Sequence, residues 1–162
     1  MEKPLVTIGL PILNGEKFIE RRLKSILTQT FLDFQIIISN NASTDNSLLI
    51  CKEFAKKDSR IKIFNQKETI VAEKNFAFVL EQAYTKYFVW ASVDDLWKED
   101  FLEKNFEFLE KNNNYVCCSG TVERFGEEDF LKIKHNDSFF KKNYKKFRKN
   151  FRPFYNLSFS GN

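Results

Sequence analysis

Phe34-Gln35-Ile36-Ile37-Ile38-Ser39 runs directly into Asn40-Asn41-Ala42-Ser43-Thr44-Asp45, and residues 46–57 follow with Leu48, Cys51 and Ala55 at helical spacing. Three consecutive isoleucines describe a strand that is apolar on both faces, and such strands belong to parallel sheets covered by helices on each side. Working outward, the pattern repeats. Residues 5–10 read as a first strand, and residues 17–28 as a helix with Ile19, Leu23, Ile26 and Leu27 on one face. Residues 61–64 read as a short strand, and residues 71–84 as a helix with Phe76, Val79, Leu80 and Ala83 turned inward. A strand over 87–91, a helix over 101–111 and a strand over 115–119 complete the alternation. This order predicts an α/β fold, a mostly parallel sheet with helices on both faces. In such sheets ligands bind beyond the carboxyl ends of the strands, so the loops that follow strands hold the candidate residues.

The chain of 162 residues is long enough for one domain with a real core. No apolar run approaches the roughly 20 residues needed to cross a bilayer. The start of the chain reads as a strand and not as a secretion signal, so a cytoplasmic location is expected. Cys51, Cys117 and Cys118 have neither CxxC spacing nor an even count, and are expected to be small core residues. The net charge of +4 is unevenly spread: nine basic residues and one acid, Asp137, lie between Lys132 and Arg152, which leaves the rest slightly acidic.

Three loops carry the polar chemistry. Pro11-Ile12-Leu13-Asn14-Gly15 lacks both the GxGxxG and the GxxxxGK(S/T) phosphate cradles. In Asn40 to Asp45, the residues Ser43 to Asp45 suit a turn and helix cap as well as a site, whereas Asn40 sits at the strand end. Ser92-Val93-Asp94-Asp95 closes an apolar strand with two adjacent carboxylates, which repel unless a cation or donor compensates. Hard divalent ions use one or two carboxylates together with substrate phosphates. The alternative is that Asp95 and Asp100 only begin the next helix, where negative charge suits the dipole.

Taken together, these segments resemble the family 2 glycosyltransferases, which have the nucleotide-diphospho-sugar transferase fold called GT-A. The resemblance is carried by Val6-Thr7-Ile8-Gly9-Leu10-Pro11-Ile12-Leu13-Asn14-Gly15-Glu16-Lys17-Phe18 and by Ser25-Ile26-Leu27-Thr28-Gln29-Thr30-Phe31-Leu32-Asp33-Phe34, which is similar to the family's SILxQTxxDF segment. Ile38-Ser39-Asn40-Asn41-Ala42-Ser43-Thr44-Asp45 resembles its ISDNASTD stretch, Ala72-Glu73-Lys74-Asn75 its ARN-like motif, and Trp90 to Trp97 its DXD region. The resemblance implies a sugar-nucleotide-binding domain over residues 1–125 and a basic, aromatic-rich segment over 126–162 standing for an incomplete acceptor region. It implies donor contacts from Pro11, Leu13, Asn14, Asn40, Lys74 and Asp94, with Asp94 and Asp95 holding Mg²⁺ or Mn²⁺. The implied reaction transfers a sugar, with inversion, from a nucleotide-diphospho-sugar to a hydroxyl acceptor, in surface polysaccharide or glycan synthesis. The family's catalytic base lies in the acceptor half, and no residue here is assigned to it.

The chain departs from the family pattern at Asn40, where an acid is usual, at Leu13, where an aromatic is frequent, and at Lys74, where arginine is common. Ser92-Val93 replace the first acids of the DXD motif. These departures keep a second reading open, a non-catalytic nucleotide-sugar-binding module. Glu127-Glu128-Asp129 and His135 read as solvated surface residues. Phe140, Tyr144, Phe147 and Phe151 would align on one helical face among lysines and arginines, with Pro153 stopping the helix. That face either packs on the sheet or, through residues 138–152, lies on the inner face of a membrane, which would make the chain a membrane-surface interaction protein. No nucleic-acid partner is expected.

Overall fold

The computed structural model describes residues 3–120 and the backbone of residues 152–154. Its elements are β1 (Val6–Ile12), α1 (Glu16–Leu27), β2 (Phe34–Asn40), α2 (Ser47–Lys57), β3 (Ile61–Asn65), α3 (Ala72–Glu81), β4 (Tyr87–Trp90), α4 (Phe101–Lys111) and β5 (Arg152–Phe154). The strands form one sheet in the order β3-β2-β1-β4-β5, and every pairing is parallel. Strand residues alternate between two layers. Val6, Ile8, Leu10 and Ile12 join Ile36, Ile38 and Val89 beneath Ile19, Leu23 and Ile26 of α1, Cys51 of α2, and Leu102 and Leu109 of α4. The other layer is smaller, with Ile37 and Phe88 packed under Val79 of α3. The α/β reading of the sequence therefore holds, with helices on both faces.

Gly9 faces the α3 side, and this position explains why that layer can be thin. A Cβ there would stand 2.5 Å from Phe88 Cζ and 2.8 Å from Val79 Cγ2. The Phe88 ring thus closes on bare backbone. Nearer the amino ends of the strands the same layer buries polar groups in a satisfied chain. Gln35 Nε2 donates to Thr7 Oγ1 at 2.9 Å, Thr7 and Thr85 share a 2.7 Å bond, and Tyr84 donates to Gln35 Oε1 at 3.0 Å.

Four expectations need correction. β1 runs on to Ile12, with Pro11 inside it, because pairing with β2 continues from Val6↔Phe34 to Ile12↔Asn40. Residues 115–119 are not a strand: Tyr115 packs its ring on Phe108 of α4, centroids 5.2 Å apart, and β5 takes the place beside β4. Phe76 does not face inward and is 39% exposed, because α3 turns Asn75 onto Ser39 instead, their side chains 2.6 Å apart. Of the cysteines, Cys51 is fully buried and Cys117 and Cys118 only partly so. The aromatic, basic helix expected around residues 140–151, the acidic trio 127–129 and His135 lie outside the described residues. Pro153 lies in β5. Among the described residues no helix is long and apolar enough to cross a membrane.

The first turns of α1 and α2 are stitched together. Asp45 accepts from its own helix at Ser47 N (2.9 Å) and from the opposite helix at Glu16 N (3.0 Å). Glu16 returns the bond, accepting from Asn46 N (3.0 Å) and Asn46 Nδ2 (2.7 Å). Ser47 and Ser43 hydroxyls accept from the amides of Gly15 (2.8 Å) and Asn14 (2.9 Å). These side chains satisfy amides that helix geometry leaves without partners. Burial raises the Asp45 carboxyl, but the bonds from Ser47 and Glu16 outweigh it and leave the group below its ordinary value of 3.8.

Two outcomes follow from these contacts. Gly9→Ala is expected to lower stability by about 1–3 kcal/mol in urea unfolding, because Phe88 and Val79 must both give way. Asp45→Ala is expected to cost about 1 kcal/mol at neutral pH. A carboxyl lowered by folding stabilises above its unfolded value and loses that contribution as pH falls through its folded value. The stability gap between Asp45→Ala and wild type should accordingly close below about pH 4, read from unfolding curves at several pH values.

Candidate functional site

The strand order places a topological switch beside β1: the chain moves outward through β2 and β3, then returns through α3 to β4 on the opposite side of β1. The switch is also an opening. Along a strand, alternate residues direct both backbone groups to the same neighbour. Gly9 faces β4, where its carbonyl accepts from Ala91 N at 2.8 Å, so Pro11, two residues on, faces β4 as well. Proline has no N–H to offer. The β1–β4 register accordingly ends at Gly9↔Trp90, and the chain after Ala91 leaves the sheet as the Ser92–Asp95 loop.

Three loops border this opening. The loop after β1 is held to the loop after β2 by the helix stitching and by Asn14, whose Oδ1 accepts from Thr44 N at 2.9 Å and Thr44 Oγ1 at 3.3 Å. Asn14 takes a φ of 50°, a conformation asparagine tolerates well. Its side chain therefore works as a loop brace. Gly15 touches the third loop, since a Cβ there would lie 2.8 Å from Val93 Cγ2. The three loops form one continuous rim.

On that rim, Pro11 is buried, Leu13 is 47% exposed, Asp94 is exposed and Asp95 partly buried. Asn40 ends β2 beside its register partner Asn65, donating from Nδ2 to Asn65 Oδ1 at 2.6 Å. Its own Oδ1 is buried without a hydrogen-bond partner, a costly state for an amide oxygen. Lys74 is exposed in the first turn of α3, and its neighbour Asn75 anchors that turn by accepting Ser39 Oγ and donating to the Ser39 carbonyl at 3.2 Å. Asn41 holds the approach to α3 at two points, donating to Ile70 O at 2.7 Å and accepting Ile70 N at 2.8 Å.

Asp94 and Asp95 supply oxygen donors suited to a hard divalent ion, and the described residues hold no group of three or more His, Cys, Asp or Glu that would form a closed cage. Such a pair suits an ion that completes its shell with phosphate oxygens and water. Sequence reasoning missed the residues behind the pair. Arg22 is fully buried, donates from Nη1 to Asp95 O at 3.0 Å, and lies over Trp97 with Cζ 4.1 Å from the ring centroid. Burial pushes its pKa down to about 9, against the opposing pull of Asp95 and Asp94, so it remains charged at neutral pH. Gln29 accepts Leu102 N at 2.9 Å and donates to Lys98 O at 2.7 Å, and Thr30 N reaches Glu99 O at 2.8 Å. The available signal was a charged residue at position 22, in line with Ile19, Leu23 and Ile26 on the apolar face of α1.

Comparison with known proteins agrees with this architecture. The mannosyltransferase PcManGT from Pyrobaculum calidifontis, solved with GDP-Man and Mn²⁺, superposes with a TM-score of 0.67 at 22% identity, over 76% of this chain and 37% of that one. S. aureus TarS 1–349 in complex with UDP-GlcNAc gives 0.63 at 22% identity, over 67% and 32%. Both are GT-A glycosyltransferases, so the expected fold type is present. Among sequences, an uncharacterized glycosyltransferase of Haemophilus influenzae is 32% identical over 126 residues, and the putative teichuronic acid biosynthesis glycosyltransferase TuaG of Bacillus subtilis 35% over 107. These alignments cover 78% and 66% of this chain, which spans 39% and 42% of the relatives' lengths. The family model described as glycosyl transferase family 2 matches residues 7–161, and the chain belongs to that family.

Proposed function

We propose that the opening between β1 and β4 binds a nucleotide-diphospho-sugar, and that the chain serves transfer of the sugar, with inversion, to a hydroxyl acceptor in glycan synthesis. The observation that carries this reading is the exposed Asp94, set at the carboxyl end of β4 where Pro11 stops the sheet. Relatives support the substrate class: TarS was solved with UDP-GlcNAc, PcManGT with GDP-Man and Mn²⁺, and TuaG is assigned to teichuronic acid biosynthesis.

Each rim residue has a role suited to its chemistry. Asp94, with Asp95 beside it, would hold Mg²⁺ or Mn²⁺, and such an ion supplies Lewis-acid assistance to the diphosphate leaving group. Asn40 keeps an acceptor oxygen without a partner at the strand end, and its buried side chain would have to turn toward the opening for a base N–H to satisfy it. Leu13 offers exposed apolar surface to a ring, with less stacking than an aromatic would give. Lys74 places a positive point charge in the first turn of α3 for phosphate. Asn14 acts on the donor indirectly, by holding the loop that carries Leu13.

Calorimetry of UDP and GDP binding, with and without Mn²⁺, tests this assignment. Mn²⁺ is expected to strengthen binding of at least one nucleotide, and Asp94→Asn to remove about tenfold or more of that gain, roughly 1.4 kcal/mol. Equal affinities with and without the ion, for UDP, GDP and their sugar derivatives alike, would sink the metal-dependent reading.

A further inference from the structure

The buried chemistry behind the acidic loop is unusual. Among the described residues, four buried side-chain nitrogen or oxygen atoms have no hydrogen-bond partner. Three of them sit together: Arg22 Nε, Arg22 Nη2 and Trp97 Nε1. Trp97 is 6% exposed, stacks on Phe101 with centroids 4.6 Å apart, and carries the Arg22 guanidinium on its ring. A charge buried with unmade hydrogen bonds destabilises a fold, and an apolar side chain of similar volume at such a position is often neutral or stabilising. Position 22 lies on a face otherwise built from Ile19, Leu23 and Ile26, where a methionine would fit the pattern. Local features that oppose stability gather where function needs them.

What the arginine touches shows what it is for. Its Nη1 holds the Asp95 carbonyl, the backbone link between the two acids and Trp97. The charges of both Asp95 and Asp94 reach it, so it offsets their mutual repulsion before any cation arrives. The rest of the segment is clamped from the same helix end by Gln29 on Lys98 and Leu102, and by Thr30 on Glu99. α1 and the turn that follows it therefore grip the chain from Asp95 to Leu102, and Arg22 is their contact at the acids themselves.

We infer that Arg22 is the positioning residue of the acidic pair: seated on Trp97 and bonded to the Asp95 carbonyl, it fixes the backbone that aims Asp94 and Asp95 at a cation-bound diphosphate. This inference rests on the donor-site reading given above, and its test separates the two. The full chain is compared with Arg22→Met and Arg22→Lys in three measurements: thermal unfolding, amide hydrogen exchange without metal, and Mn²⁺ binding by electron paramagnetic resonance with and without UDP or GDP. Arg22→Met is expected to keep or raise the melting temperature. It should speed exchange across residues 93–98 about tenfold while β1 and β2 amides stay unchanged, and weaken Mn²⁺ binding about tenfold or more. Nucleotide binding without metal should not change. Arg22→Lys, which keeps the charge and loses the planar fork, should fall between. Wild-type loop exchange and Mn²⁺ affinity in Arg22→Met would overturn the inference, as would a lowered melting temperature with both unchanged. If Arg22→Met does not fold, wild-type values in Arg22→Lys overturn it equally. If the wild-type chain binds no Mn²⁺ with either nucleotide, the donor-site reading fails, and the exchange measurement alone decides whether Arg22 orders the loop.

Discussion

Pro11 has no N–H, and that missing donor shapes everything at the carboxyl edge of the sheet. A parallel ladder continues only while both strands supply their groups. On the β2 side β1 keeps full register to Asn40, whereas on the β4 side pairing ends at Trp90. The strand that carries the acids is thereby freed three residues before the strand that leads into Leu13 runs out, at Gly9 rather than at Ile12. An opening appears between neighbours that would otherwise be sealed by hydrogen bonds. Everything around it then has to be held by side chains, because the backbone ladder is no longer there to do so.

Side chains do hold it, and they do so from α1. The first turn of that helix exchanges caps with α2 through Glu16 and Asp45, fixing the loops after β1 and β2 as one piece. The inner face reaches the third loop through Arg22, and the turn after the helix holds the chain that follows this loop through Gln29 and Thr30. One amphipathic helix and the turn that ends it thus tie all three loops together. The SILxQT-like segment is part of that machinery: Gln29 spans a carbonyl and an amide that no ladder serves, and no ligand contact is needed to explain it.

The sequence made the fold legible wherever burial on both faces writes a strong apolar signal, as in Ile36 to Ile38 and in the Ile19–Leu23–Ile26 face of α1. It was less informative at 115–119, where aromatic and cysteine residues look strand-like but Tyr115 finds a better partner in Phe108. Pro11 misled in the opposite direction, because a proline reads as a loop unless one knows which neighbour its missing N–H would have faced. The polar residues divide in a way that residue type alone does not show. Asn14, Asn41 and Asn75 bond protein groups, and Asn40 alone keeps a buried oxygen without a partner. Arg22 carried a readable signal, a charge in an apolar stripe, but only the fold shows that it lies beneath Asp95.

An amide does not titrate. Asn40 and Asn65 present the same donor and the same acceptor at every pH at which the sheet is folded. An aspartate at that strand end would turn one of its acceptor oxygens into a donor on protonation and would repel a diphosphate when ionised. With asparagine there, the end of β2 itself carries no charge. The fixed charges near this edge stand on the segments around it, Asp94 and Asp95 with Arg22 beneath them, Lys74 on α3, and the paired caps Glu16 and Asp45.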